Sequence, residues 1–423
     1  MGNTSDTASL ARLLPTQVPA DGISAEIDRI LRAVRAHLDM DVAFVSEFMD
    51  DVRIFRHVDA AGWTPVQTGD AIPLDAGYCK RVVEGILPRL IPDTAQVPAA
   101  VAIPETAAVP IGAHISVPVR LSDGRLYGTF CCFGFKAEPT LNERDLRIME
   151  TFGELVAFQV ERQICLQHVQ EEKRARVSAV LDQGGPQILF QPICRLSDGE
   201  LVGVESLSRF PSGPDADPET WFSDANEAGM GLALETSAIR NALQALGQLP
   251  DSLYLAVNAS PETLMDASFD ALFQDVDPTR IVLELTEHVR VRDYAGLMQR
   301  IARLRARGMR LSVDDAGAGY ASMRHILNLH PEMIKLDVSL TRGIDQDPAR
   351  RALAAALIDF GRQTGCSVLA EGIETPAEYA LLGKLGATNA QGFYLSPPLQ
   401  LPELLRFAHD HRIASPAGRR SEA

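Results

Sequence analysis

Apolar residues recur every three or four positions between Ser24 and Leu38. Ile27, Ile30, Leu31 and Val34 share one face, which predicts an amphipathic helix capped by Ser24. Extended runs follow. Val42–Val45 and Val52–Phe55 flank a Met49-Asp50-Asp51 turn, and Ile115–Val119 and Leu126–Phe130 flank Ser122-Asp123-Gly124, the Asp-Gly signal of a hairpin. A helical pattern resumes at Asn142, a second cap, with Met149, Phe152, Val156, Val160 and Ile164 as a narrow apolar stripe. It continues past Glu171-Glu172-Lys173-Arg174 to Val177, Val180 and Leu181. So long a helix with so narrow a stripe reads as a coiled-coil connector or dimer seam, the alternative being two helices broken near Glu171. Helix, antiparallel strands and closing helix describe a small α+β domain over 23–160, with a helical connector over 161–185.

Gly184-Gly185-Pro186 punctuates the chain, and the pattern then changes. Short runs rich in Val, Ile and Leu alternate with helical stretches. They are Ile188–Phe190, Leu201–Val204, Leu253–Val257, Ile281–Leu283, Leu311–Val313, Met333–Ile334, Ser367–Ala370 and Gly392–Leu395. Buried parallel strands look like this, apolar on both faces. Eight runs within 186–411 predict a (β/α)8 barrel of the α/β class. The Ser197-Asp198-Gly199 turn is too short for a crossover helix, so the first pair is predicted antiparallel. Residues 1–22 and 412–423 are predicted to be flexible tails.

The 423 residues are 46% hydrophobic and 23% charged, an ordinary globular mixture. Net charge is −16, so a polyanion is repelled and bulk nucleic acid is excluded as a partner. A small phosphorylated ligand neutralised by metals or local cations is not excluded. No apolar run reaches about 18 residues, so no membrane span is predicted. The polar stretch Met1–Ala20 lacks a secretory pattern, and the position where a myristoylation motif needs Ser or Thr is Asp6. Six scattered cysteines with no CxxC pair suit reduced thiols in a cytoplasm.

Chemistry gathers at the ends of the runs. Glu205 follows Val204, Asn258 follows Val257 and Glu284 follows Leu283. Asp314 and Asp315 follow Val313, Lys335 follows Ile334, Glu371 follows Ala370, and Gln391 precedes Gly392. These stations recur about every 31 residues, the repeat of an eight-unit barrel, whose strand ends converge on one mouth. One acidic residue after a strand is ordinarily a cap or a surface group; recurrence at every station marks a site. Five carboxylates cannot share a small space as bare anions. An all-oxygen set without His or Cys selects hard cations such as Mg²⁺, Mn²⁺ or Ca²⁺. Adjacent Asp314 and Asp315 can serve two metals about 3.5 to 4 Å apart, a pair that activates water against a phosphodiester.

Residues 186–411 resemble an EAL domain, the cyclic di-GMP phosphodiesterase family. The matching pieces are Phe190-Gln191-Pro192-Ile193, Glu205-Ser206-Leu207-Ser208-Arg209, Val257-Asn258-Ala259-Ser260 and Glu284-Leu285-Thr286-Glu287. They continue with Asp314-Asp315-Ala316-Gly317-Ala318-Gly319-Tyr320, Ile334-Lys335-Leu336-Asp337, Glu371-Gly372-Ile373-Glu374-Thr375 and Gln391-Gly392-Phe393. The resemblance implies hydrolysis of cyclic di-GMP to pGpG by two metal ions, Mg²⁺ or Mn²⁺. Glu205, Asn258, Glu284 and Asp314 would hold one ion; Asp315 and Glu371, with Asp314 bridging, the second. Lys335 would position water or stabilise phosphate, and Gln391 would orient the same region. Gln191 and Arg209 match substrate-contacting positions, and Glu287 and Glu374 supporting ones. Two positions depart: the family's central Ala is Ser206 here, and Ala316 stands where the loop after Asp315 usually carries Phe. A catalytically silent cyclic di-GMP receptor and an unrelated metal-dependent phosphodiesterase barrel are the rival readings.

Residues 22–160 resemble a GAF domain, a small sensor module, through the helix–hairpin–helix order, Gly77–Gly85 and Leu121–Gly128. The GAF ligand is left open. Cys79 reads as a buried, inert small residue rather than a sensing thiol. Cys131 and Cys132 are neighbours on a strand and face opposite sides. A homodimer is expected, regulated through the connector.

Overall fold

The computed structural model describes residues 20–211, 217–285, 293–316 and 320–414. Glu287, the 317–319 part of the loop after Asp315, and most of both predicted tails lie outside the described residues. The chain divides into two compact units, Met1–Val169 and Gln170–Ala423.

The first unit is built on one antiparallel sheet. Its strands are β1 (Val42–Met49), β2 (Val52–Ala60), β3 (Ala71–Pro73), β4 (Leu90–Ile91), β5 (Ala113–Arg120) and β6 (Leu126–Gly134), in the order β3-β2-β1-β6-β5-β4. Strand alternation divides its side chains between two cores. Ala43, Val45, Phe130 and Cys132 join a cluster with Ile23, Ile27 and Leu31 of α1 (Ala20–His37). Val42, Phe44, Cys131 and Phe133 join another with Tyr78, Cys79 and Val82 of α2 (Tyr78–Val83).

Helix α3 (Glu143–Asp182) is continuous through Glu171. Met149, Val156 and Val160 are buried in the first of these cores, with Phe152 and Ile164 packed against it. The Met149–Ile164 part of the stripe that the sequence offers as a dimer seam is therefore covered within its own unit, and Val177 and Val180 are buried in a cluster with Trp221 and Leu234.

The second unit is a closed eight-stranded barrel. Its strands are β7 (Gln187–Arg195), β8 (Leu201–Arg209), β9 (Tyr254–Ala259), β10 (Ile281–Leu285), β11 (Arg310–Ala316), β12 (Met333–Leu336), β13 (Ser367–Ala370) and β14 (Asn389–Ala390). Strand β7 runs antiparallel to both β8 and β14, and the remaining neighbours are parallel. Each of these helices follows a strand: α4 (Pro218–Glu227) and α5 (Gly231–Leu243) after β8, α6 (Tyr294–Ala306) after β10 and α7 (Tyr320–Leu329) after β11. Helices α8 (Pro348–Thr364) after β12, α9 (Pro376–Leu385) after β13 and α10 (Leu401–Ala414) after β14 complete them.

One element differs from the sequence reading. The eighth strand is Asn389–Ala390, not Gly392–Leu395. Gly392 has φ +152°, and a Cβ there would lie 2.2 Å from the Ile373 backbone nitrogen, so the chain turns against the loop after β13. Phe393 and Tyr394 are consequently exposed. The shift matters: Gln391 now stands at the carboxyl end of a strand, where the other stations are.

Candidate active site

Inside the barrel, Ile193, Tyr254, Ala256, Val282, Met333 and Leu369 form one buried cluster. Side chains two residues apart on a strand share a face. Asn258, Glu284, Lys335 and Glu371 each lie two residues beyond a member of this cluster, so they form the next layer toward the carboxyl ends. Strand β7 is reversed, so Gln191, two residues before Ile193, reaches the same layer. Gly203 leaves room for the Tyr254 ring, which would sit 2.5 Å from a Cβ at that position.

Lys335 occupies the middle of this layer, 1% exposed. Its Nζ lies 3.1 Å from Glu205 Oε1, 3.1 Å from Glu284 Oε2, 3.2 Å from Asp314 and 2.7 Å from Glu371 Oε1. Burial opposes its charge, but the four carboxylates outweigh burial and hold its pKa well above the ordinary value. Glu205, for which burial is likewise outweighed by Lys335, is held below the ordinary range. Glu284 and Glu371 are pushed well above it, first by burial and then by the neighbouring carboxylates, against the pull of Lys335.

Gln391 extends the network. Its Nε2 donates to Glu205 Oε2 at 2.5 Å and to Gln191 Oε1 at 2.9 Å, and Gln191 Nε2 donates to the Ser396 carbonyl at 3.1 Å. Ser206, the departure from the expected Ala, donates to the Ala256 carbonyl at 2.8 Å and so ties β8 to β9.

Consecutive strand residues should face opposite ways, yet Asp314 and Asp315 both belong to the site. The β11–β12 register shifts between Val313 and Ala316, and Asp315 has φ +53°, a left-handed conformation that Asp tolerates better than most residues. Its N–H donates to Asp314 Oδ1 at 2.9 Å. Oxygens of Asp314, Asp315 and Glu371 lie within 4.8 Å of one another, as do those of Glu205, Glu284 and Asp314. Asn258 stands beside Glu284 in the β9–β10 register.

These residues fit divalent cations on three counts. All donors are oxygens, Asp314 belongs to both groups, and one ammonium faces several carboxylates. The buried Glu284 Oε1 also has no hydrogen-bond partner among the described residues.

Two cavities adjoin here. An acidic one of about 290 Å³ is lined by Gln191, Glu205, Asp314, Lys335, Glu371 and Gln391. A more apolar one of about 510 Å³ is lined by Ile188, Phe222, Ile239, Arg209, Asn258 and Asp315. Leu207 lines both.

Of the remaining expected residues, Glu374 lies at the rim of the acidic cavity, where its carboxylate pairs with Arg342 rather than with the carboxylate cluster. Glu378 escaped the sequence reading. It is 3% exposed and accepts the backbone N–H groups of Gly343, Glu374 and Thr375, which braces the loop after Glu371. Its signal was Thr375-Pro376-Ala377-Glu378, a capping box opening α9.

Comparison with known proteins agrees with this architecture. The family model of the EAL domain matches residues 174–398, and that of a GAF domain matches 22–161. Over 240 residues the chain is 32% identical to a cyclic di-GMP phosphodiesterase of Pseudomonas aeruginosa, covering 54% of this chain and 40% of that protein. Over 228 residues it is 28% identical to the bifunctional diguanylate cyclase/cyclic di-GMP phosphodiesterase MucR of the same organism, covering 51% and 33%. The chain thus spans less than half the length of either relative. Among solved structures, the PaMucR phosphodiesterase in complex with c-di-GMP matches with TM-score 0.50 at 24% identity, covering 55% of this chain and 99% of that one. The EAL enzyme Bd1971 in its cGMP-bound form matches with TM-score 0.55 at 16% identity, covering 87% and 93%. At these identities the likenesses show the fold. No helix among the described residues is long and apolar enough to cross a membrane. With more than half of its residues inside that family model, the chain belongs to the EAL domain family, and a GAF domain precedes its barrel.

Proposed function

We propose that the barrel hydrolyses one phosphodiester of cyclic di-GMP to give pGpG. The observation that carries this reading is the carboxylate cage around Lys335, beside a second group formed by Asp314, Asp315 and Glu371. The names of the relatives supply the substrate class. Glu205, Asn258, Glu284 and Asp314 would hold one Mg²⁺ or Mn²⁺, and Asp314, Asp315 and Glu371 a second. Two such ions, when bound, polarise a phosphodiester and lower the pKa of a water.

The chain's own groups do the rest. Lys335 places a fixed positive charge where a phosphate oxygen gains negative charge. Gln391 keeps Glu205 and Gln191 in one orientation through its two hydrogen bonds. Arg209 presents a planar fork to a phosphate at the neighbouring cavity. The apolar walls of that cavity, Ile188, Phe222 and Ile239, suit a purine ring.

Incubation of the purified protein with cyclic di-GMP and Mg²⁺ or Mn²⁺, with an EDTA control, tests this. Metal-dependent pGpG is the expected product. Binding without product, in the full chain and in the barrel alone, would overturn hydrolysis in favour of a receptor.

Two further readings belong to this proposal. The GAF domain regulates the barrel, so deletion of residues 1–170 changes the rate; an unchanged rate and metal dependence would reject it. The chain also pairs with a second copy along the outer face of α3. There Leu155, Phe158 and Val169 are 48%, 43% and 41% exposed, and Cys165 is exposed with them.

A further inference from the structure

Cys79, read from the sequence as inert, has surroundings unlike those of a filler residue. Its Sγ accepts from Arg53 Nη1 at 2.7 Å and lies 3.5 Å from Cys131 Sγ. Cys131 is in turn 3.0 Å from Ser116 Oγ and 3.3 Å from Thr129 Oγ1. Four elements, α2, β2, β5 and β6, converge on this pair, and both thiols are buried.

Arg53 explains the arrangement. The residue is 2% exposed, its guanidinium lying 5.9 Å from the Phe44 ring centre and 4.9 Å from that of Phe55. A buried cation needs an anion beside it. Glu105 supplies one contact at 3.1 Å, and the Cys79 sulfur supplies the other. Burial alone would raise the Cys79 pKa, but the Cys131 hydrogen bond and the Arg53 charge outweigh it and hold the thiol at about 5. Cys131, buried and facing that sulfur, is driven well above its ordinary value. Of the two sulfurs it is Cys79 that touches the Arg53 guanidinium, so negative charge is favoured there. Cys132, next in sequence but in the opposite core, is raised chiefly by burial.

A cavity of about 20 Å³ lies beside Arg53, Tyr78, Glu105 and His114. That admits a molecule of roughly the size of water. Arg53 Nε, Glu105 Oε2 and His114 Nδ1 have no hydrogen-bond partners among the described residues.

We propose that Cys79 and Cys131 are a redox site of the GAF domain, in which Cys79 reacts with hydrogen peroxide and Cys131 resolves the product to a disulfide. The Cys79 sulfur attacks one peroxide oxygen and the O–O bond breaks. Cys79 becomes a sulfenic acid, and the departing hydroxide takes a proton to become water. The Cys131 sulfur then attacks the sulfenyl sulfur, the S–O bond breaks, and the hydroxyl leaves as water with the Cys131 proton. Two sulfurs lose one electron each, and one peroxide is reduced to two waters. An external dithiol reverses the change. The sulfurs need only close from 3.5 Å to the roughly 2.0 Å of a disulfide.

The test uses the full chain carrying Cys165→Ser, which removes the exposed thiol, in EDTA. One equivalent of hydrogen peroxide is expected to remove two thiols, with recovery by dithiothreitol and a linked peptide pair containing Cys79 and Cys131. In the further variant Cys131→Ala, treated with hydrogen peroxide in the presence of dimedone, Cys79 is expected to be trapped as its sulfenic acid at least tenfold faster than Cys194. If both thiols survive a peroxide dose that oxidises Cys165 in the parent chain, the proposal is wrong. A linkage between any other two cysteines is equally fatal. If Cys131→Ala does not fold, peptide mapping of the Cys165→Ser protein decides alone.

Discussion

The Lys335 ammonium and the Glu371 carboxylate meet at 2.7 Å across the β12–β13 pair, the shortest of four ion pairs that Lys335 makes. Leaving buried carboxylates without their cation costs about 3–5 kcal/mol. Lys335→Met keeps the length and removes the charge. In EDTA its unfolding temperature falls well below that of the parent, and Mn²⁺ restores more stability to it than to the parent. Turnover falls at least roughly 100-fold. A variant as stable as the parent in EDTA would mean that the cage does not depend on this charge.

Asp315 offers a separation of backbone from charge. Asn tolerates its left-handed conformation, whereas a β-branched residue does not. Asp315→Asn therefore keeps the parent's unfolding temperature, loses activity by roughly 100-fold or more, and needs more Mg²⁺ for half-maximal rate. Asp315→Val loses stability as well. A metal titration of turnover, run beside thermal unfolding, checks both. Parent-like metal dependence in Asp315→Asn would remove Asp315 from the ligand set.

His114 is 2% exposed beside the Tyr78 ring, and burial followed by Arg53 lowers its pKa from 6.5 to about 3. Below pH 6.5 the unfolded chain takes up a proton that the folded chain refuses until about pH 3. The linked stability is thus present above pH 6.5 and lost as pH falls through that window. At pH 5 the loss is about 2 kcal/mol. His114→Phe keeps a ring against Tyr78 and removes the titration. Thermal unfolding of both full chains at pH 7 and pH 5 isolates the difference, because every other titrating group is common to them. Equal pH sensitivity would show that His114 is not refused its proton.

Most of the barrel, and the gathering of polar residues at one of its ends, could be read before any coordinates. Six polar stations behind apolar runs, and a seventh just before one, follow from two short-range rules, the two-residue strand period and the repeat of a βα unit. What escaped was decided by longer contacts. Gly392–Leu395 is as apolar as a strand, but the Ile373 backbone packs so close that the chain turns there. The α3 stripe is narrow enough for a coiled coil, but from Met149 to Ile164 it packs into the core of the first unit. Asp314 and Asp315 could not both face the mouth without a register shift that pattern does not encode. The contacts of Cys79 with Arg53 and Cys131 join residues 26 and 52 positions apart in sequence, so no local pattern announces them.

The outer face of α3 carries the last prediction. Positions 155, 158, 162, 165 and 169 follow one another by three, four, three and four, the spacing of a two-stranded seam. Leu155, Phe158 and Val169 occupy three of these positions and are exposed, whereas the inner stripe is already covered. In a parallel pair, equivalent core positions face each other, so the two copies of Cys165 come together. Mild oxidation then joins two chains through Cys165 within the native dimer, and Cys165→Ser prevents it. Leu155→Glu with Phe158→Glu places charges in the seam and converts the dimer to monomer by light scattering, with the sheet core untouched. A parent chain that is monomeric at micromolar concentration would leave the stripe without a second copy to cover it. A dimer that survives the double substitution and resists the Cys165 cross-link would place the contact on another face.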